Sequence, residues 1–223
     1  FSLYFSLVSS VLAVIGGVAV AFLMTQARSS RFIRLLGIQV PITTMHAVVA
    51  LAVICLFTGA GLFPRLLHVL GIAPDATWFP SVVGAPSGWG IILVYLWKEI
   101  PFIAFTTITI MRNISTSYGE AASTLGANGW RTFFEITLPL CRGAILRAFL
   151  VVFAFAFGSY EIPFLLEPTS PKALPVLAYI EFQDPDIINR CYAMALNGIM
   201  AGICTVLCVI YYVVLQREKK QIR

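Results

Sequence analysis

Residues 120–139 read Glu-Ala-Ala-Ser-Thr-Leu-Gly-Ala-Asn-Gly-Trp-Arg-Thr-Phe-Phe-Glu-Ile-Thr-Leu-Pro, a polar and amphipathic stretch between two long apolar segments. Ser117 precedes Glu120 by the spacing of a capping box, so a helix is expected to begin there, with Glu120 reaching back to the cap amide. It should continue through Ala121, Ala122 and Leu125 and end at Gly126, which permits the left-handed conformation. Asn128-Gly129 marks a turn. A second short helix over about 130–137 would put forward Trp130, Phe133, Phe134 and Ile136, and Pro139 suits the first turn of the next span. A capped connector explains Ser117, Glu120 and Gly126 individually. It does not explain Trp130, Phe133 and Phe134 in a water-facing loop, which need the bundle or a partner to cover them.

The rest of the chain sets the class. Its 223 residues are 59% apolar and 11% charged, with a mean hydropathy of +0.90. Soluble domains carry roughly 25% charged residues, so this is an integral membrane protein. A span needs about 20 largely apolar residues. Five stretches qualify: 1–24, 35–58, 88–111, 143–166 and 191–215. They lack strand-like alternation and are too long for barrel strands, so they are helices. The expected fold is all-α, a polytopic transmembrane bundle forming a single domain over 1–223. Phe1 already lies in an apolar run, with no charged region or cleavage site before it, so the first span does not read as a signal peptide.

The spacing Glu120-Ala121-Ala122, three residues, Gly126, nine residues, Ile136, one residue, Leu138-Pro139 resembles the EAA loop of bacterial ABC-importer permeases. The resemblance implies a type I, MetI-like permease fold. Such proteins commonly have six spans, so a further helix is expected ahead of Phe1. It makes 112–142 the cytoplasmic coupling loop, with Glu120, Ala121, Ala122, Gly126, Trp130 and Phe133 facing the ATPase. The implied partners are two ATPase subunits that hold ATP and Mg, a second permease subunit, an extracytoplasmic solute-binding protein and membrane lipid. The chain would hold no cofactor of its own, act as a permease rather than an enzyme, and lie in the bacterial inner membrane. There is no Walker A sequence with which to cradle ATP.

Charge sets the expected orientation. Eleven basic residues fall on the side of the 112–142 loop: Arg28, Arg31, Arg34, Arg112, Arg131, Arg142, Arg147, Arg217, Lys219, Lys220 and Arg223. Three fall opposite: Arg65, Lys172 and Arg190. The net charge of +5 is therefore a topology signal, not a sign of nucleic-acid binding.

Other residues bear on the solute. Lys98 and Glu99 lie in mid-span, where charge usually faces protein or water. They point roughly 100° apart on a helix, and either a translocation role or a buried structural pair accounts for them. Gly158-Ser159-Tyr160-Glu161-Ile162-Pro163-Phe164 resembles the spermidine/putrescine-type branch of the permeases, which implies a polyamine-like solute. Tyr160 and Glu161 could meet a cation there; Glu161 could equally sit at the outer interface. The competing class is an ion-coupled secondary transporter with Lys98, Glu99 and Glu161 as a relay. His46 reads as a packing residue, and Asn197 could bond between helices. The five cysteines form no C-x-x-C pair and read as small hydrophobes; no metal set is expected.

Overall fold

The computed structural model describes residues 1–26, 35–59, 61–72, 82–124 and 126–221. All regular structure among them is helical: α1 (Ser2–Gln26), α2 (His46–Phe57), α3 (Leu62–Val69), α4 (Trp89–Thr124), α5 (Gly129–Gly158), α6 (Glu161–Leu166), α7 (Leu174–Gln183) and α8 (Ile187–Gln221). Among the described residues, five segments are long and apolar enough to cross a membrane: Ser2–Gln26, His46–Val69, Trp89–Ile114, Gly129–Gly158 and Ile187–Val213. Helices follow because a backbone in hydrocarbon must satisfy its own hydrogen bonds.

Two spans differ from expectation. The second, expected over 35–58, is interrupted: a wide π turn over Leu35–Gln39 leads into Val40–Thr43, and Met45 is extended (φ −64°, ψ 143°) before α2 begins. The fourth, expected over 143–166, starts earlier and stops at Gly158; Glu161–Leu166 is a separate short helix. Inside α5 a second π turn covers Phe133–Thr137. Each π turn ends two residues before a proline, Pro41 and Pro139. A proline within a helix removes one donor and crowds the carbonyl four residues back. Widening the preceding turn lets the helix absorb the ring without breaking.

The chain divides into two compact units. One comprises Ser10–Thr43 and Leu96–Val152. Its core gathers Ala21, Phe22 and Met24 of α1, Ala104, Ile108 and Met111 of α4, and Phe133 and Cys141 of α5. Here α1 and α4 approach through glycine: a Cβ on Gly17 would lie 2.7 Å from Ile103 Cβ and 3.0 Å from the Ile100 carbonyl oxygen. Small residues at such crossings let dispersion act over close-packed backbones, the main attraction between helices in lipid.

The other unit comprises Phe1–Ser9, Thr44–Tyr95 and Phe153–Arg223. Phe5 stacks on Tyr95 at 6.2 Å, and the Tyr95 hydroxyl donates to the Ala156 carbonyl at 3.3 Å. The start of α7 is held by side chains: Glu167 Oε2 accepts from the Ala173 N–H at 2.8 Å, and Ser2 Oγ accepts from the Leu174 N–H at 2.7 Å. Two of the donors that a helix N-terminus leaves orphaned are thereby satisfied. Helix α3 exposes Leu62, Leu66 and Val69.

Candidate functional site

The connector between α4 and α5 differs from the sequence expectation at its start. Helix α4 runs unbroken to Thr124, so Ser117 is inside a helix and does not cap one. The apolar span simply continues into a stretch with no proline, and the single Gly119 does not interrupt it. Glu120 and Ala121 lie on this last part of α4; their side chains, like all of Leu125, fall outside the described set. Ala122 is buried.

The end of α4 is as expected. Gly126 has φ +80°, and the Ala127 N–H donates to the Ala122 carbonyl at 3.0 Å, six residues closing to one. That bond together with a left-handed glycine is a Schellman termination. Two residues on, Asn128 is an N-cap rather than a free turn: its Oδ1 accepts from the Arg131 N–H at 2.9 Å. Arg131 and Glu135 then pair at 2.9 Å on the exposed face. One helix therefore ends and the next is capped within a few residues, fixing the angle between them.

The aromatic residues divide their work. Phe133 is buried, with its ring 4.2 Å from that of Phe22. Trp130 also meets Phe22, at 4.9 Å, yet stays 61% exposed; Phe134 is 57% exposed and stacks on Trp130 at 6.2 Å. Phe133 anchors the element to α1. Trp130 and Phe134 present a flat aromatic surface beside an ion pair.

The four residues expected along a solute path fall in different units: Lys98 and Glu99 in one, Tyr160 and Glu161 in the other. Lys98 and Glu99 are both buried. Neither Glu99 carboxylate oxygen meets a hydrogen-bond donor among the described residues. Tyr160 precedes α6 and stacks on Tyr179 at 5.1 Å, with Phe164 edge-on to Tyr179 at 6.0 Å. Tyr160 and Tyr179 border a cleft of about 380 Å³ lined by Gly158, Tyr160, Tyr179, Phe182, Asn197 and Met200, among others. Glu161 is exposed and is not among the lining residues. Sequence reasoning singled out Tyr160 but missed Tyr179 and Phe182. Their signal was the proline-bounded apolar piece 174–182, which folds as α7 beside the break after Gly158. The cleft exists because α5 stops at Gly158 and the chain re-enters as α6.

Comparison with known proteins bears on these features. The chain is 29% identical over 160 residues to the sulfate transport system permease protein CysW of Synechococcus elongatus, covering 71% of this chain and 52% of that protein. It is 28% identical over 153 residues to the sulfoquinovosyl glycerol transport system permease protein SmoG of Agrobacterium fabrum, covering 68% and 49%. The chain thus spans about half the length of these curated relatives. A chain in the crystal structure of a bacterial alginate ABC transporter bound to its alginate pentasaccharide-loaded periplasmic protein superposes with a TM-score of 0.82 at 17% identity, covering 98% of this chain and 77% of that one. The two share the fold.

These relatives give no support to the spermidine/putrescine branch or to a polyamine. The physical reason is that Gly158 to Phe164 shapes a helix break and restart, a geometric task that does not specify the solute. The ion-coupled alternative gains no support either. Residues 13–221 match the family of binding-protein-dependent transport system inner membrane components, and the chain belongs to that multi-pass inner-membrane family.

Proposed function

We propose that this chain is a membrane-spanning permease subunit of an ATP-driven importer, working with two ATPase subunits, a second permease and an extracytoplasmic binding protein. The observation that carries the reading is the connector at 122–137. It is covalently continuous with the long helices α4 and α5. It is fixed at its bend by Gly126 and Asn128 and pinned to α1 by Phe133. A push on Trp130 and Phe134 therefore moves helices rather than flexing a loop. The ATPase subunits supply hydrolysis, and this chain supplies the lever and part of the solute path. The cleft beside Tyr160 is that part, reached from the outer face.

Reconstitution tests the assignment. Liposomes holding the permease pair, the ATPases and the binding protein should accumulate solute only with ATP. Uptake by the permeases alone under an ion gradient would overturn it. Orientation is checked separately: Ala127→Cys, in a background without the native cysteines, should react with impermeant maleimide only after cells are opened. Thr169→Cys should react in intact spheroplasts. The reverse pattern would remove the connector from the ATPase side.

A further inference from the structure

Resting on the permease reading above, we infer that the Tyr160 cleft receives a saccharide-sized polyhydroxylated solute, rather than a bare inorganic oxyanion or a polyamine.

A volume of about 380 Å³ falls in the range of pockets that enclose ring-sized organic molecules, roughly 300–1,000 Å³. The lining chemistry narrows the choice. Among the described residues, no carboxylate and no cation lines the cleft. A polyamine would leave its ammonium charges without counter-ions, and a dianion would lose its hydration shell for no charged partner. Arg190 lies nearby but over the ring of Phe182, 5.9 Å from its centroid, and is not among the lining side chains.

What the cleft does offer is flat aromatic surface and neutral hydrogen-bonding groups. Tyr160, Tyr179 and Phe182 supply the rings, and Asn197 supplies an amide with both donors and an acceptor. Gln183 Nε2 donates to the Tyr179 hydroxyl oxygen at 2.6 Å. That oxygen is thus engaged as an acceptor, which leaves its own proton to donate outward. Sugar hydroxyls both donate and accept, and the C–H face of a pyranose packs on an aromatic ring. Asn197 adds a second reason. An exposed amide within the apolar segment Ile187–Val213 is costly facing lipid. On the wall of a wet cleft beside phenol groups it is solvated and useful.

The test uses the assembled transporter in nanodiscs, with the native cysteines replaced and Gly158→Cys introduced, at a lining position where an added Cβ meets no atom within 4 Å among the described residues. Maleimide labelling at that position is timed with 10 mM maltose, methyl glucuronide, sodium sulfate or spermidine. The expected result is a slowing of at least fivefold by one or both saccharides and less than twofold by sulfate and spermidine. In otherwise native transporter, Tyr179→Ala should abolish saccharide-stimulated ATP hydrolysis while Tyr179→Phe retains part of it. Protection by sulfate or spermidine without saccharide protection would overturn the inference, as would no protection by any probe. Co-purification of the ATPases is scored on the same preparations. Its loss in the unsubstituted protein would fail the permease reading itself; its retention with no saccharide protection fails only the solute class.

Discussion

The rings of Phe22 and Phe133 lie 4.2 Å apart, centroid to centroid, joining the C-terminal part of α1 to the connector after α4. Because Phe133 is buried and its neighbour Trp130 is not, the two aromatics should separate stability from coupling. Phe133→Ala should lower the subunit's stability in detergent by about 3 kcal/mol, the usual size for a truncated buried ring. Trp130→Ala should leave the melting temperature nearly unchanged and reduce ATPase co-purification. Equal thermal effects from both substitutions would contradict the division.

Gly126 stands at φ +80°, and a Cβ added there would meet no atom within 4 Å among the described residues, so the backbone conformation is what restricts it. Gly126→Val should cost about 1–2 kcal/mol or more through the left-handed backbone. Gly126→Asn, a residue that tolerates this region, should fold with little loss. Thermal unfolding of the two variants decides the matter; an Asn variant as damaged as the Val variant would mean that a contact, not backbone strain, protects the position.

At Gly17 the limit is space. A Cβ there meets Ile103 Cβ and Cγ2, both at 2.7 Å. At Gly16 the nearest atom is Ile100 Cδ1, at 2.9 Å, the far end of a side chain that can turn away. Gly17→Ala should therefore destabilise by about 1–3 kcal/mol through overpacking, and Gly16→Ala by clearly less. Ile103→Ala removes the Cγ2 contact at its own cavity cost, so the two substitutions together should cost less than the sum of their separate effects. Melting temperatures of the single and double variants give the ranking, and a larger effect at Gly16 would refute it.

These contrasts show what the sequence could and could not reveal. The five apolar runs and the Gly126 termination were legible because each depends on local chemistry: hydrocarbon length, and a backbone that only glycine adopts freely. Ser117 misled because a capping box describes a helix start only where the preceding residues are not already helical, and here α4 arrives intact. Both π turns were invisible in advance: Pro41 and Pro139 announce a perturbation but not whether the helix breaks or widens. The cleft was half legible. Gly158 and Pro163 flag a discontinuity, yet bringing Tyr179 and Asn197 to Tyr160 is a matter of tertiary packing, which spacing along the chain does not encode.

Glu167 lies outside the spans and carries a pH signature. Burial pushes its carboxyl above the ordinary carboxylate range, against the Ala173 N–H and the Lys172 charge, which favour the ionised form. A folded-state value raised above the unfolded one means that the folded chain binds the proton more tightly. The contribution is full below the ordinary carboxylate pKa and is lost as pH rises through the raised value. The loop between α6 and α7 should thus become more protease-sensitive across that interval. Glu167→Gln should flatten the dependence while its amide oxygen keeps accepting from Ala173. A loop that tightens as pH rises through the same window would reverse the sign and reject the account.

Glu99 is buried with neither carboxylate oxygen hydrogen-bonded among the described residues, a liability in a packed helix. Leaving such a group unsatisfied costs about 1–3 kcal/mol or more. A span that needed only packing would hold an apolar side chain there. Glu99→Leu should therefore raise the melting temperature by a few degrees, since about 1 kcal/mol moves a chain of this size by 2–4 °C. Its uptake should fall, the expected cost of removing a carboxyl that the proposed transport cycle engages in another conformation. Glu99→Gln keeps the shape and a polar amide but cannot ionise, so comparing it with Leu separates charge from polarity. A Leu variant that is less stable than the natural chain would show that Glu99 has a structural partner and is not held for transport.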